Sequence, residues 1–126
     1  MRVFKNKWFH RWARREKISD VLLLKAAEEI VAGQVEADLG GYLFKKRLPR
    51  SGTGKSGGYR VLVEYKNPNI ERLIFLYAFA KNQRANISDK DKAALRLVAE
   101  SFAKTTENML DELKHQKSIR EIKDHE

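Results

Sequence analysis

The sequence contains no cysteine, only three histidines and no long apolar run. Without cysteine it has no disulfides and no thiolate chemistry, and three histidines without metal-ligand spacing are too few to bind zinc. We therefore predict no metal and no cofactor. No apolar run approaches the roughly 20 residues of a membrane-spanning helix, and the N-terminus lacks the apolar core of a secretory signal. These absences predict a cytoplasmic protein with no membrane partner.

Basic residues outnumber acidic ones, and they are unevenly distributed along the chain. The formal net charge is +9 in 126 residues, and 42% of the residues are hydrophobic, which is typical of a folded protein. Residues 1–17 hold seven Lys or Arg against one acid, and residues 39–63 hold six against none. Clustering of this kind is typical of proteins that bind a phosphate backbone. A basic surface without such a ligand is the alternative.

The apolar pattern predicts an α+β fold, with helices before and after a three-stranded meander. Residues 73–80 are apolar on both faces, so this strand should be central in the sheet. From Asn108 onward the spacing predicts a further helix. The expected organisation is one domain, residues 1–126, with a core at 1–105 and a charged helical C-terminal extension at 106–126. The other predicted strands are residues 2–4, 42–48 and 59–65, and two of the helices are predicted to begin after the N-caps Ser19 and Ser88.

Aromatic residues near the N-terminus repeat at helical spacing. Phe4, Trp8 and Trp12 recur every four residues and predict one apolar stripe of an amphipathic helix that Lys and Arg flank. We expect this stripe to pack in the core. A helix that lies on a membrane surface would show the same pattern.

The stretch SGTGKSGGYR, residues 51–60, looks at first like a nucleotide-binding loop. The nucleotide pattern G-x-x-x-x-G-K-[ST] would end at Gly54-Lys55-Ser56, but its first glycine would then fall on Pro49. A run typical of a strand follows Ser56, where the phosphate-binding helix should begin. Residues 50–57 are therefore predicted to form a mobile hairpin loop whose cations have another use.

Lysines and arginines concentrate on and around the strands that flank this loop. If these strands are neighbours, their cations converge on one side of the sheet and can bind RNA phosphates. Such a site can also cleave RNA, because the 2′-hydroxyl is a nucleophile and arginines stabilise the charge that develops on the phosphate. Composition alone favours binding without cleavage. The cations are Lys45, Lys46, Arg47, Arg50, Lys55, Arg60, Lys81 and Arg84.

Two segments carry a combined motif. They are KKRLPRSGTGKSGGYRVLVEY, a basic strand followed by a GKSGGYR turn, and LIFLYAFAKNQRANIS, which contains F-x-K-x-x-x-x-N-I. Together they resemble the RelE/HigB superfamily of bacterial toxins, and its HigB-like branch in particular, over about residues 1–105. The resemblance implies a RelE-like, microbial-RNase-like fold: a small, mostly antiparallel sheet with helices packed on one face.

The resemblance also implies an activity and catalytic residues. Members are mRNA interferases, metal-independent endoribonucleases that cut translated mRNA on the ribosome by 2′-hydroxyl attack and so inhibit translation. Arg60, in the GYR motif, is implied to stabilise the transition state. Lys45 and Arg47 are implied to contact phosphate or to act as base, and Lys46 takes that place if the register differs by one. Lys81 matches the cation that follows the last strand.

Further cations are predicted to bind RNA or the ribosome. Some lie close to the implied catalytic residues, and two belong to the N-terminal basic block, which would anchor the ribosome. Some relatives carry a tyrosine shortly after the last strand, and residues 82–89 contain none, so no general acid is assigned. The predicted binding residues are Lys46, Arg50, Lys55, Arg84, Arg14 and Arg15.

The resemblance implies several partners. Members are held inactive by a cognate antitoxin protein, which would be acidic or amphipathic. The ribosome and mRNA would be bound directly, and operator DNA only through the toxin–antitoxin complex. Two other functions stay open: a ParE-like toxin that acts on another target such as gyrase, and a non-catalytic nucleic-acid-binding module.

Overall fold

The computed structural model describes residues 1–49, 58–66 and 72–123, which form six strands and four helices. Each of these helices follows a residue whose side chain accepts a backbone N–H, as N-caps do. The caps predicted at Ser19 and Ser88 are confirmed. In chain order the elements are β1 Arg2–Asn6, α1 Lys7–Arg15, α2 Asp20–Val31, β2 Ala37–Gly40, β3 Leu43–Leu48, β4 Tyr59–Tyr65, β5 Arg72–Ala80, α3 Asp89–Ala103, α4 Glu107–His115 and β6 Ile119–Ile122.

The strands form one sheet in the order β2-β3-β4-β5-β1-β6. Neighbouring strands are antiparallel except β1 and β5, which are parallel. The predicted α+β class with a mostly antiparallel sheet is therefore confirmed. β5 lies between β4 and β1 and is buried along nearly its whole length, as its apolar sequence predicted.

Helices cover both faces of this sheet, which corrects the expectation of helices on one face only. α1 and α2 pack against the face that carries Val61 and Val63 of β4. α3 and α4 pack against the face that carries Leu62. Successive residues of a strand point to opposite faces, so strands as apolar as β4 and β5 need a cover on both.

The N-terminal aromatic stripe is divided between two elements. Phe4 lies on β1 and is fully buried, and the helix begins only at Lys7. Within α1, Trp12 is 5% exposed, whereas Trp8 is 37% exposed. The prediction of a buried helical stripe is therefore correct for Trp12 and wrong for Trp8.

The C-terminal segment contains a helix and a strand. The helix predicted from Asn108 onward is confirmed, as α4, only as far as His115. Lys117 then adopts a φ of 65°, a left-handed conformation that ends the helix. Ile119 and Ile122, which we expected on the same helix, lie on β6, where their three-residue spacing places them in the cores of opposite faces.

Arg2 joins the two ends of the described chain. Its guanidinium donates two hydrogen bonds of 3.0 Å to Glu121 of β6, and it also donates to Glu107 and Asp111 of α4. The hydrogen bonds from Arg2 stabilise the charged carboxylate of Glu121 and lower its pKa to about 2. The same bonds raise the pKa of Arg2. This network fixes β6 beside β1 and completes the sheet.

Candidate nucleic-acid site

Three of the predicted cations lie together on one face of the sheet. Arg47 of β3 is directly opposite Arg60 of β4 in the register, and Lys45 follows the same face two residues from Arg47. Arg60 is only 9% exposed, although arginine is rarely buried without a partner. We call Lys45, Arg47 and Arg60 the cationic face; the fold brings them together as the sequence predicted.

A carboxylate enters the cationic face from a segment that the sequence did not single out. Oε2 of Glu36 lies 2.5 Å from Nε of Arg60, and Oε1 lies 3.8 Å from Nζ of Lys45. The contact with Arg60 is an ion pair without an aligned hydrogen bond at Nε. Glu36 is fixed by its backbone N–H, which donates over 2.8 Å to the carbonyl oxygen of Lys45.

A sequence signal for Glu36 did exist. Gly40, with a φ of 84°, ends β2, and Gly41 and Tyr42, with φ values of 60° and 67°, form the turn to β3. Paired glycines between two short strand-like runs are typical of a hairpin. Such a hairpin would have placed the residues just before β2 opposite Lys45, and Glu36 is the acid among them.

Arg84, in the segment after β5, lies beside the cationic face. Its guanidinium carbon is 5.6 Å from the ring centroid of Phe79, and Nη1 donates to the Tyr77 hydroxyl over 3.3 Å. Phe79 is the β5 partner of Arg60, so Arg84 lies on the same side of the sheet. Although residues 82–89 contain no tyrosine, Tyr77 on the strand itself brings a phenol hydroxyl to this region.

The turn after β5 contacts the cationic face through Asn86. Nζ of Lys45 is 3.4 Å from Oδ1 of Asn86. Lys81 lies in the same turn, but its ammonium donates to the carbonyl oxygen of Ala85 over 2.7 Å. The structure therefore joins Lys45 of β3 directly to Asn86, and the hydrogen bond of Lys81 stabilises the turn that carries Asn86.

Lys46 lies on the opposite face of β3. Its Nζ is 3.2 Å from a carboxylate oxygen of Glu29 on α2 and donates to the carbonyl oxygen of Gln34 over 2.8 Å. The register of β3 against β4 therefore places Lys45, and not Lys46, on the face that carries Arg60. The two faces meet at the edge of β3 in an open pocket of about 450 Å³, lined by Gln34, Val35, Glu36, Lys46, Arg47 and Arg60.

The remaining predicted binding residues are not part of the cationic face. Arg14 and Arg15 are exposed in the last turn of α1, which packs on the other face of the sheet. Nε of Arg15 is 3.6 Å from a carboxylate oxygen of Glu16, and the same carboxylate accepts a hydrogen bond from the Tyr59 hydroxyl of β4. Arg50 and Lys55, with the predicted loop between β3 and β4, lie outside the described residues.

A fully buried carboxylate lies further along β4. Glu64 is 0% exposed, and neither of its oxygens has a hydrogen-bond partner among the described residues. Burial raises its pKa to about 7, against the opposing effect of the nearby cations Arg72 and Lys66. Three residues of β4 separate Glu64 from Arg60, so Glu64 is not a member of the cationic face, and its burial bears on stability.

The described part of the chain contains no group of His, Cys, Asp and Glu side chains that could hold a metal ion. Nor is any described helix long and apolar enough to cross a membrane. The groups that the fold does bring together at the site are guanidinium, ammonium, carboxylate and amide groups.

The fold and the site define a class: a small α+β protein with a cluster of cations on one face of a mostly antiparallel sheet. A family model for the RelE toxin of the RelE / RelB toxin–antitoxin system matches residues 1–122, which include α4 and β6. The chain belongs to this RelE toxin family, whose members are generally endoribonucleases with a RelB-like antitoxin as partner. The match does not distinguish the HigB-like branch, which stays a prediction. No curated protein matches the chain.

Proposed function

We propose that this toxin is a ribosome-dependent mRNA endonuclease that cuts mRNA during translation and so inhibits translation. The observation that carries the proposal is that Lys45, Arg47 and Arg60 share one sheet face with the carboxylate of Glu36. The cations can hold an RNA phosphate, and the carboxylate can accept a proton beside it. Membership of a family of endoribonucleases supports the same activity.

The proposed reaction is a phosphoryl transfer within the RNA chain. The 2′-oxygen attacks the adjacent phosphorus while its proton passes to the carboxylate of Glu36. The bond from phosphorus to the 5′-oxygen of the next nucleotide breaks, and that oxygen takes a proton from water. The products are a 2′,3′-cyclic phosphate and a 5′-hydroxyl, and Glu36 returns its proton to solvent.

Arg60 is proposed to stabilise the negative charge that develops on the phosphate oxygens. Its burial holds the guanidinium in place before the substrate arrives, and charge that is already in position favours the transition state most. In the free protein Glu36 occupies the position at Arg60 that a phosphate oxygen would take. An incoming phosphate therefore displaces Glu36, which frees the carboxylate to act as base, while Lys45 and Arg47 contact phosphate.

The other cations are proposed to hold RNA and ribosome around this centre. Lys46 and Arg84 flank the cationic face, and Arg14 and Arg15 extend the positive surface to the other face of the sheet. The antitoxin would block this surface, and operator DNA would be contacted only by the toxin–antitoxin complex. We further propose that the chain acts in the cytoplasm as a single domain.

Glu36 also separates this proposal from its two alternatives. A toxin that only binds nucleic acid, or one that acts on gyrase, needs no base beside its cations. A carboxylate 2.5 Å from Arg60 weakens phosphate binding, because it competes for the same guanidinium. Such a residue is useful where a proton has to be removed, so its presence favours cleavage.

The test is a reconstituted translation reaction in which the 5′ and 3′ ends of the mRNA are mapped. We expect wild-type protein to cut mRNA only when ribosomes are present, and Arg60→Ala to cut roughly 100- to 1,000-fold more slowly. Arg120→Ala is the matched control, since Arg120 is exposed on β6, three strands from β4.

Circular dichroism shows whether Arg60→Ala is folded, and Arg60→Lys provides a second variant that keeps the positive charge. Lysine cannot reproduce the planar, forked donor geometry of arginine, so Arg60→Lys should also cut slowly. Cutting by Arg60→Ala at the wild-type rate, or translation that proceeds without cuts, would overturn the proposal in favour of the alternatives.

A further inference from the structure

Trp8 and Tyr77 form a stacked aromatic pair close to the cationic face. Their ring centroids are 4.6 Å apart, and the ring planes differ by 26°. Trp8 is in the first turn of α1, and Tyr77 is on β5, two residues before Phe79. More than a third of the Trp8 surface is accessible to solvent, so the pair lies at the surface of the core and not within it.

The position of Trp8 follows from the different lengths of β1 and β5. β1 ends at Asn6, whose side-chain amide donates to the carbonyl oxygen of Leu76 over 3.0 Å. Beyond Asn6, no strand of the described residues pairs with the edge of β5 that β1 covers up to that point. The chain turns into α1 at Lys7. Trp8 therefore packs beside the free edge of β5 and meets Tyr77.

A chain of polar contacts joins the aromatic pair to the cationic face. The Tyr77 hydroxyl accepts a hydrogen bond from Arg84, and Nε of Arg84 donates to the carbonyl oxygen of Asn86 over 3.1 Å. The side chain of Asn86 in turn contacts Lys45. Trp8 is therefore linked to Lys45 of the cationic face through Tyr77, Arg84 and Asn86.

A purely structural role explains Trp8 less well than a binding role. The other aromatic residues of α1, Phe9 and Trp12, are buried, so shielding the edge of the sheet does not require an exposed indole. Insertion into a membrane surface is also disfavoured, because the apolar residues of α1 other than Trp8 are already buried in the core. Trp8 also stacks on Trp12, with ring centroids 6.5 Å apart and ring planes that differ by 8°. The part of the Trp8 ring that stays accessible beyond these two contacts, near Arg84 on Tyr77, is what a structural role leaves unexplained.

We propose that the accessible part of Trp8, backed by Tyr77, is a stacking site for one base of the single-stranded RNA substrate. This inference rests on the proposed function and adds a subsite to it. Proteins that bind single strands combine a positively charged path with aromatic rings on which bases stack. Because every base has a π-face, the site accepts any base. Trp8 is thus a positioning residue, which sets where the phosphate lies relative to Arg60.

The experiment uses a single-stranded RNA oligonucleotide that carries 2′-O-methyl groups throughout, so that it cannot be cleaved. Its binding to the full chain is followed by the anisotropy of a terminal label and by tryptophan fluorescence. The variants are Trp8→Ala and Trp8→Phe. Tyr42→Ala is the matched control, because Tyr42 is another exposed aromatic residue, in the turn between β2 and β3 at the opposite edge of the sheet.

Anisotropy reports binding through any aromatic ring at position 8, whereas fluorescence quenching requires the tryptophan itself. In the wild-type protein, tryptophan fluorescence should be quenched in step with the anisotropy. Trp8→Ala should raise the Kd roughly 5- to 150-fold, the range that base stacking on an aromatic residue gives. Trp8→Phe should bind nearly as well as wild type but without quenching, since the buried Trp12 is then the only tryptophan of the chain. Tyr42→Ala should behave as wild type.

Failure of this inference can be told apart from failure of the proposed function. An oligonucleotide that binds with equal Kd to wild type and Trp8→Ala, without quenching, overturns the stacking site and leaves the proposed function intact. If no oligonucleotide binds even at low salt, the stacking site is also overturned, and the translation reaction with Arg60→Ala then decides the function by itself. An oligonucleotide of abasic residues, which keeps the phosphates, should bind wild type and Trp8→Ala equally.

Discussion

Nε of Arg60 lies 2.5 Å from a carboxylate oxygen of Glu36. Glu36 belongs to a stretch, residues 18–38, in which acids dominate, whereas Arg60 belongs to the basic block at residues 39–63. The fold thus brings a negative charge into one of the two basic blocks of the chain. A carboxylate in that position competes with a phosphate for the guanidinium, and in the proposed reaction it also accepts the proton of the 2′-hydroxyl.

Replacing Glu36 by Gln should therefore have opposite effects on binding and on cleavage. A non-cleavable RNA should bind more tightly, because a competing negative charge is removed. Cutting in the translation reaction should fall roughly 100- to 10,000-fold, because the base is lost. Glu29→Gln is the control: Glu29 pairs with Lys46 on the other face of β3. Undiminished cutting by Glu36→Gln would show that Glu36 is only a counter-ion.

The exposed arginines of α1 give a prediction about the ribosome. Arg14→Ala combined with Arg15→Ala should weaken co-sedimentation of the protein with ribosomes, and each phosphate contact that is lost should reduce the log–log salt slope by about one. Because both residues lie in the last turn of α1, at the end of the helix opposite to Trp8, RNA binding at Arg60 should change little. Ribosome association that keeps its salt slope in the double variant would exclude this role for α1.

The central strands could be predicted from the sequence because their patterns are local. Residues 59–65 and 73–80 alternate or are apolar throughout, and the glycines before Arg60 mark the start of its strand. From these strands alone it follows that Arg47 and Arg60 are on neighbouring segments. Lys45 and Lys46 are adjacent on the strand, so alternation alone predicts that they lie on opposite faces. The direct pairing of Arg47 with Arg60 follows from a register that the structure supplies.

The features that the sequence did not predict depend on contacts between distant segments. Glu36 reaches Arg60 only because β2 pairs with β3, and β2 is short enough to have been overlooked. β6 has the i, i+3 apolar spacing of a helix, and only its pairing with β1 makes it a strand. Trp8 is spaced like a core residue, but β1 ends early and leaves it at the edge of β5.

The Arg2–Glu121 pair should make the sheet sensitive to acid. The pKa of Glu121 is lowered from 4.5 to about 2, so the pair contributes its full stability above pH 4.5 and loses it as the pH falls towards 2. Glu121→Gln should cost roughly 1.5–3 kcal/mol at pH 7, the range for hydrogen bonds to charged groups. Urea unfolding at pH 7 and pH 3 should show the difference from wild type shrinking at the lower pH.

Glu112→Gln serves as the control for Glu121, because Glu112 is an exposed acid of neighbouring α4. Its free energy of unfolding should follow that of wild type at both pH values. A Glu121→Gln protein that is as stable as wild type at pH 7 would show that the network around Arg2 holds β6 without this carboxylate.

Glu64 should affect stability in the opposite direction. Burial raises its pKa from 4.5 to about 7, so the folded protein holds a proton that the unfolded chain releases more readily. Below pH 4.5 Glu64 is protonated in both the folded and the unfolded state, so its burial costs no stability there. As the pH rises from 4.5 through 7 the folded state loses stability relative to the unfolded chain, up to about 3 kcal/mol at roughly 1.4 kcal/mol per pKa unit. Glu64→Gln removes this dependence.

Glu64→Gln should therefore match wild type in its free energy of unfolding near pH 4 and exceed it by up to about 3 kcal/mol at pH 8. The comparison is made by urea unfolding of both proteins across this pH range. All other titrating groups are the same in the two proteins, so their contributions to the difference in free energy of unfolding cancel. Glutamine retains the size and polarity of the protonated acid, so the difference reports the buried charge and not a change in packing. A difference that is constant from pH 4 to pH 8 would mean that Glu64 titrates normally, despite having no hydrogen-bond partner among the described residues.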